Sequence, residues 1–169
     1  MKFTISHVFD TDAESYWEKV FFDPEYNKRL YSKEGLDFKA FEILSMTGNP
    51  GENRVRRLRT EPKSDAPAVV KKLIGDGLAY TEDGNYDATK KLWTYKITTS
   101  KLADKINIGG RFWVEPKGEK KCERVSEVEL KVDIALVGGT VEKFIEKTTR
   151  ESYEKTFQFT KKFIAEKGL

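Results

Sequence analysis

Residues 138–168 read GGTVEKFIEKTTRESYEKTFQFTKKFIAEKG. The spacing predicts one long helix from Thr140 to Lys167, with Gly168 just past its end as a stop. Its 28 residues would reach roughly 40 Å at 1.5 Å per residue. The pairs Glu142-Lys143, Glu146-Lys147 and Glu154-Lys155 read as a solvated face. The opposite face opens with Val141, Phe144 and Ile145 and closes with Phe157, Phe159, Phe163 and Ile164. Between them the same spacing runs through Thr148, Ser152 and Thr156. A helix lying on a solid core should carry Leu or Ile there. Two readings follow. Either Tyr153 or bulky partners fill the space, or a cavity remains, sealed at both ends by aromatic plugs. Interiors are close-packed and a void is costly, and a bound ligand would remove that cost.

The helix needs a partner, and the preceding residues supply one. In the stretch 122–137, Val128, Leu130, Val132, Ile134 and Leu136 face one way and Glu127, Glu129, Lys131 and Asp133 the other. That alternation is a strand with one covered face. The stretch 104–115 repeats it, with Ile106, Ile108, Phe112 and Val114 inward and Gly110 as a gap; Pro116 to Glu119 form the turn between the two. Upstream, 77–85 and 91–99 read as another hairpin, and 36–46 and 53–61 as strands parted by the turn Gly48-Asn49-Pro50-Gly51. Residues 67–74 are expected to form a short amphipathic helix. At the start, Phe3, Ile5, His7 and Phe9 alternate with polar residues as a strand. A short helix through Tyr16, Trp17 and Val20 follows, with Thr11 and Glu14 at capping-box spacing. Asp23-Pro24 then opens a second helix that ends near Gly35. The expected class is α+β, in the order β-α-α-β6-α, as a single domain over residues 1–169.

Composition narrows the function. The chain of 169 residues has 31 basic and 28 acidic side chains and a net charge of +3. The basic cluster Arg54-Val55-Arg56-Arg57-Leu58-Arg59 lies in an extended stretch, so its arginines divide between two faces. Nucleic acid is therefore not the expected partner. No apolar stretch approaches the ~20 residues of a membrane span. The N-terminus has no signal-peptide core, and a cytoplasmic location is expected. One cysteine, Cys122, and one histidine, His7, exclude an internal disulfide and any site that needs two imidazoles. No metal and no cofactor is expected.

Several motifs resemble one superfamily. Phe9-Asp10 through Ala13 to Trp17, the helix start Asp23-Pro24-Glu25-Tyr26, and Val137-Gly138-Gly139 before Val141-Glu142-Lys143 are similar to the START-like superfamily. That group is also called SRPBCC, or polyketide cyclase/dehydrase and lipid transport. Asp65–Gly75 and Gly138–Ile145 are similar to a bacterial branch whose function is unassigned. The resemblance spans essentially the whole chain. It implies a helix-grip fold, a curved seven-stranded antiparallel sheet wrapped around a long C-terminal helix. It also implies a cavity between the two for an apolar or amphipathic molecule such as a lipid, sterol or isoprenoid-like compound. It carries over no catalytic residue. Fold alone does not assign chemistry.

On this reading Ile108, Phe112, Leu130 and Val132 form the cavity floor and Thr148, Ser152 and Thr156 its roof, with Phe144 at one end. Leu73 and Ile74 lie at the entrance, on a segment that is either a mobile lid, opened with the help of a membrane surface, or a fixed cover. Trp93 and Tyr95 on one strand, and Tyr80 on its neighbour, combine core packing with ligand contact. His7 reads as a satisfied core histidine before a general base. Arg54 and Arg56 share one face, and Arg57 and Arg59 the other. Whichever face is inward, one arginine approaches the cavity mouth and an anionic head group, unless strand glutamates pair it at the surface. The carrier, expected as a monomer, is preferred over a cyclase or dehydratase working in the same cavity. A solidly packed interaction module is the third possibility.

Overall fold

A computed structural model of the protein describes residues 1–63, 65–75 and 77–169. Seven strands form one antiparallel sheet: β1 (Lys2–Phe9), β2 (Ala40–Thr47), β3 (Arg54–Glu61), β4 (Tyr80–Asp87), β5 (Leu92–Thr99), β6 (Ile106–Gly118) and β7 (Lys121–Val132). Their order across the sheet is β1-β7-β6-β5-β4-β3-β2. The N-terminal strand thus closes on the last one, and β2 forms the far edge. Helix α1 (Ala13–Ser15) runs straight into a π-helical segment (Tyr16–Phe21). It is followed by α2 (Pro24–Tyr31), α3 (Ala68–Ile74) and the long α4 (Gly138–Lys167). This is the expected helix grip, with α3 inserted between β3 and β4.

Local chemistry accounts for the element ends. Asp23 caps α2 by accepting the Tyr26 N–H at 2.6 Å, with Pro24 in the first turn. The first helix is capped by Asp12, which accepts from the Ser15 N–H at 2.8 Å, and not by the expected Thr11. The aspartate one residue on presents a charged acceptor to that donor. α4 ends at Gly168, in the left-handed conformation at φ 65°.

The largest departure from expectation is at the end of β7. The strand stops at Val132, so Ile134 and Leu136 do not extend its inward face. Leu136 adopts φ 68° and stands fully in solvent. The cause is the docking of α4. Glu142 accepts the Val132 N–H at 2.9 Å, and Gly138 sits where a Cβ would come 2.9 Å from the Val132 carbonyl oxygen. The helix must therefore begin directly above Val132, two residues before the expected Thr140, and the chain turns within 135–137 to reach it.

The core is divided. One cluster gathers Phe9, Trp17, Phe22, Tyr26, Phe112 and Phe163 around the π-helical segment and the last turns of α4. A second, of Ala66, Val70, Ile74 and Val141, clamps α3 onto the first turn of α4. The plug at that end is therefore mainly aliphatic, where an aromatic one was expected. Between Val141 and Phe159 no described residue of α4 is buried.

Candidate ligand-binding cavity

The gap between the two clusters is a cavity of about 870 Å³, lined by the inner faces of β3 to β7 and by α4. That is within the usual range for small-molecule pockets. Thr148, Ser152 and Thr156 form its roof, with Phe144 toward the α3 end. The Thr148 hydroxyl turns back onto its own helix, donating to the carbonyls of Phe144 and Ile145 at 3.1 Å. Beneath them lie Ile108 and Phe112 of β6, Trp93 and Tyr95 of β5, and Tyr80 of β4; Ile74 closes one side.

Three expected residues are not in the lining. Leu130 is buried at 2% exposure, and Val132 and Leu73 belong to the packing at the α3 end. For Val132 the early start of α4 accounts for this, because Val141 in its first turn belongs to the same packed cluster. α3 itself is docked, with Val70 at 0% and Ile74 at 3% exposure, while Val69 on its outer side is open to solvent.

The β3 arginines resolve into two roles. Arg54 and Arg56 point inward with Leu58, and Arg57 and Arg59 point outward. Neither inward arginine is an exposed, glutamate-paired surface group. Arg54 is buried against Glu18, over the Phe22 ring. Arg56 reaches Glu82 at 3.4 Å and the Asn27 Oδ1 at 3.3 Å, with its guanidinium 4.5 Å from the Phe21 ring centre. Leu58 stands opposite Glu82 on β4, so Arg56 and Glu82 are diagonal neighbours on one face. Burial pushes the Glu82 carboxyl above its ordinary 4.5, against the pull of Arg56. The side chain retains 17% exposure, toward the cavity.

Sequence reading missed the polar groups on β7. Cys122, Arg124 and Ser126 are all buried, on the face that continues into Val128 and Leu130. The signal was present: carried back by steps of two, the Val128–Leu130 face passes through Arg124. Arg124 donates to the Tyr16 hydroxyl at 3.1 Å and contacts the His7 Nδ1 at 3.2 Å. His7 stacks on Phe157 at 4.5 Å, and its Nε2 lies 3.5 Å from Glu154. Burial, then the Arg124 charge, holds the imidazole below its ordinary 6.5, with Glu154 opposing. A neutral ring accepting from Arg124 at Nδ1 and donating at Nε2 satisfies both neighbours. Burial also lifts the Tyr80 hydroxyl to about 12 and keeps Tyr95, bonded to Tyr153, well protonated. The Cys122 thiol is likewise pushed up to about 12 by burial. Among the described residues no group of His, Cys, Asp and Glu is placed to hold a metal ion, and no helix is long and apolar enough to cross a membrane.

Solved structures share this architecture with little sequence identity. A crystal structure of a protein from Thermus thermophilus superposes with a TM-score of 0.71 at 14% identity, covering 100% of both chains. The Zhui aromatase/cyclase from Streptomyces sp. R1128 gives 0.63 at 11% identity, over 96% of this chain and 95% of that one. A START superfamily protein from Mycobacterium smegmatis gives 0.61 at 13%, over 93% and 94%. These likenesses establish the START-like fold. No curated protein matches the chain in sequence. Residues 4–164 match the model of the family described as protein of unknown function (DUF2505), and the chain belongs to that family.

Proposed function

We propose that the protein binds or transports a hydrophobic small molecule, of the lipid, sterol or isoprenoid-like kind, in the cavity between the sheet and α4. One observation carries this reading: the middle of α4 spans about 870 Å³ of space with no buried side chain of its own among the described residues. Apolar burial at about 25 cal/mol per Å² would supply the affinity, and the few inward polar groups the orientation. The residues proposed to contact ligand are Ile108 and Phe112 below, Thr148, Ser152 and Thr156 above, and Trp93 and Tyr95 at the side. The protein works as a cytoplasmic monomer. α3, with Val69 outward beside exposed Lys71 and Lys72, is the proposed site of transient contact with a membrane surface. Native mass spectrometry of gently purified protein tests the reading. One small molecule retained, or taken up from a lipid and sterol panel, is expected. A strictly apo mass with no uptake would overturn it.

A second reading is kept by a specific observation. Glu82, with its raised carboxyl, shares the cavity with Tyr80, Tyr95 and Arg56. That gives an acid–base pair and a cation within one space, as a cyclase or dehydratase needs. The Zhui aromatase/cyclase is similar in fold, which adds weight to this alternative. Its test is turnover of a poly-β-ketone mimic that is lost in Glu82→Gln while ligand uptake persists.

A further inference from the structure

We propose that the ligand carries a carboxylate at one end of an apolar body, and that Arg124 and Ser126 hold that carboxylate. This rests on the cavity being a ligand pocket. Among the described residues three arginines are buried, Arg54 at 4%, Arg56 at 3% and Arg124 at 6% exposure. Two of them have a carboxylate: Glu18 for Arg54 and Glu82 for Arg56. Among the described residues, Arg124 touches none. Its hydrogen-bond partners are the Tyr16 hydroxyl and the His7 Nδ1, both neutral, and its guanidinium also lies over the rings of Phe9 and Tyr153, at 5.5 and 5.0 Å. The acid tied to this group, Glu154, lies behind His7 with 58% of its side chain in solvent.

A buried guanidinium without a counter-charge is a costly arrangement, and it is the kind that an anion in the adjacent space would offset. Two donors there are unused. Among the described residues the Arg124 Nε has no acceptor, and neither does the Ser126 hydroxyl, which is fully buried. The two residues occupy successive inward positions on β7, and both line the cavity. A carboxylate has acceptors only; it neutralises the charge from the cavity and takes both donors, which lie just beneath the cavity wall, after a small side-chain shift. A neutral polar head would leave the charge uncompensated. Beyond this point the floor turns apolar, through Val128, Ile108 and Ile97, which suits a hydrocarbon body.

The test is a matched pair of fluorescent probes, 11-(dansylamino)undecanoic acid and its methyl ester, titrated into wild type, Arg124→Gln and Ser126→Ala. Wild type is expected to bind the acid at least about tenfold tighter than the ester, some 1.4 kcal/mol. Arg124→Gln should bind both alike, the preference for the acid being lost. Ser126→Ala should lose a few-fold of the preference, and it decides the matter alone if Arg124→Gln does not fold. Equal binding of acid and ester by wild type, or an undiminished preference in the variant that folds, overturns the carboxylate assignment and leaves the pocket standing. Uptake of neither probe by wild type overturns both.

Discussion

The indole of Trp93 lies against the backbone of Gly84, closer than any Cβ could be accommodated. Gly84 stands opposite Tyr95 on β5, so Trp93 crosses diagonally onto it from the neighbouring strand. There the ring is 1% exposed, 5.0 Å from Phe21 and beneath the Arg56 guanidinium. The missing side chain at 84 thus lets an aromatic ring lie flat on the sheet and shape the cavity wall. Gly84→Ala is expected to displace the indole and cost about 1–3 kcal/mol, as overpacking does. A thermal melt measures this; a melting temperature equal to wild type would contradict the packing described.

The Arg56–Glu82 pair is expected to be held by mutual need. In Arg56→Met, burial and the lesser push of the Asp83 charge act on Glu82 unopposed, and its folded pKa rises further above the ordinary 4.5. A carboxyl raised on folding is stable while protonated. The variant should therefore keep its stability below that ordinary value and lose it as pH rises through the folded pKa. Stranding a buried charge costs about 3–5 kcal/mol. Urea melts at about pH 5 and about pH 8 should show the loss chiefly at the higher pH, and Arg56→Met with Glu82→Leu should recover most of it.

The roof of the cavity offers the opposite experiment. Thr148 spends its hydroxyl on its own helix and leaves space below. Thr148→Leu adds apolar volume to that space and improves helix propensity. The empty protein should gain about 1 kcal/mol, a rise of roughly 2–4 °C for a chain of this size. Calorimetry with and without bound hydrophobic probe should show the gain in the empty form and a smaller stabilisation by ligand. A destabilised variant would mean that the helix is already packed at this point.

His7 sets an acid limit. Its folded pKa lies below the ordinary 6.5, because burial and Arg124 both resist a second positive charge. A base depressed on folding contributes stability that is complete above 6.5 and is lost as pH falls toward the folded value. His7→Gln should flatten the stability profile between about pH 5 and the ordinary value. An unchanged profile would show that the imidazole does not titrate differently in the fold.

Much of this was legible because it depends on spacing. The period-two faces of β6 and β7 and the slight residues at 148, 152 and 156 are local patterns. The first two imply a covered sheet and the third a helix that does not fill it. The position of Val132 depended instead on where α4 lands, and that is decided by Gly138 against Val132, a contact across a turn. Arg124 was in plain view on an inward position, but its partners Tyr16 and His7 lie 108 and 117 residues away in sequence. Glu82 stood on the face of Tyr80 and Tyr86, but its pairing with Arg56 depends on the register of β3 with β4.

The claim beneath all of this is that the space under the centre of α4 takes an apolar guest. Titration of N-phenyl-1-naphthylamine, a neutral probe, into wild type and Ser152→Trp tests it most directly. Saturable one-site binding by wild type is expected, with at least about a tenfold loss in Ser152→Trp at unchanged helix and sheet content. No saturable binding by wild type, or equal binding by the blocked variant, would contradict it.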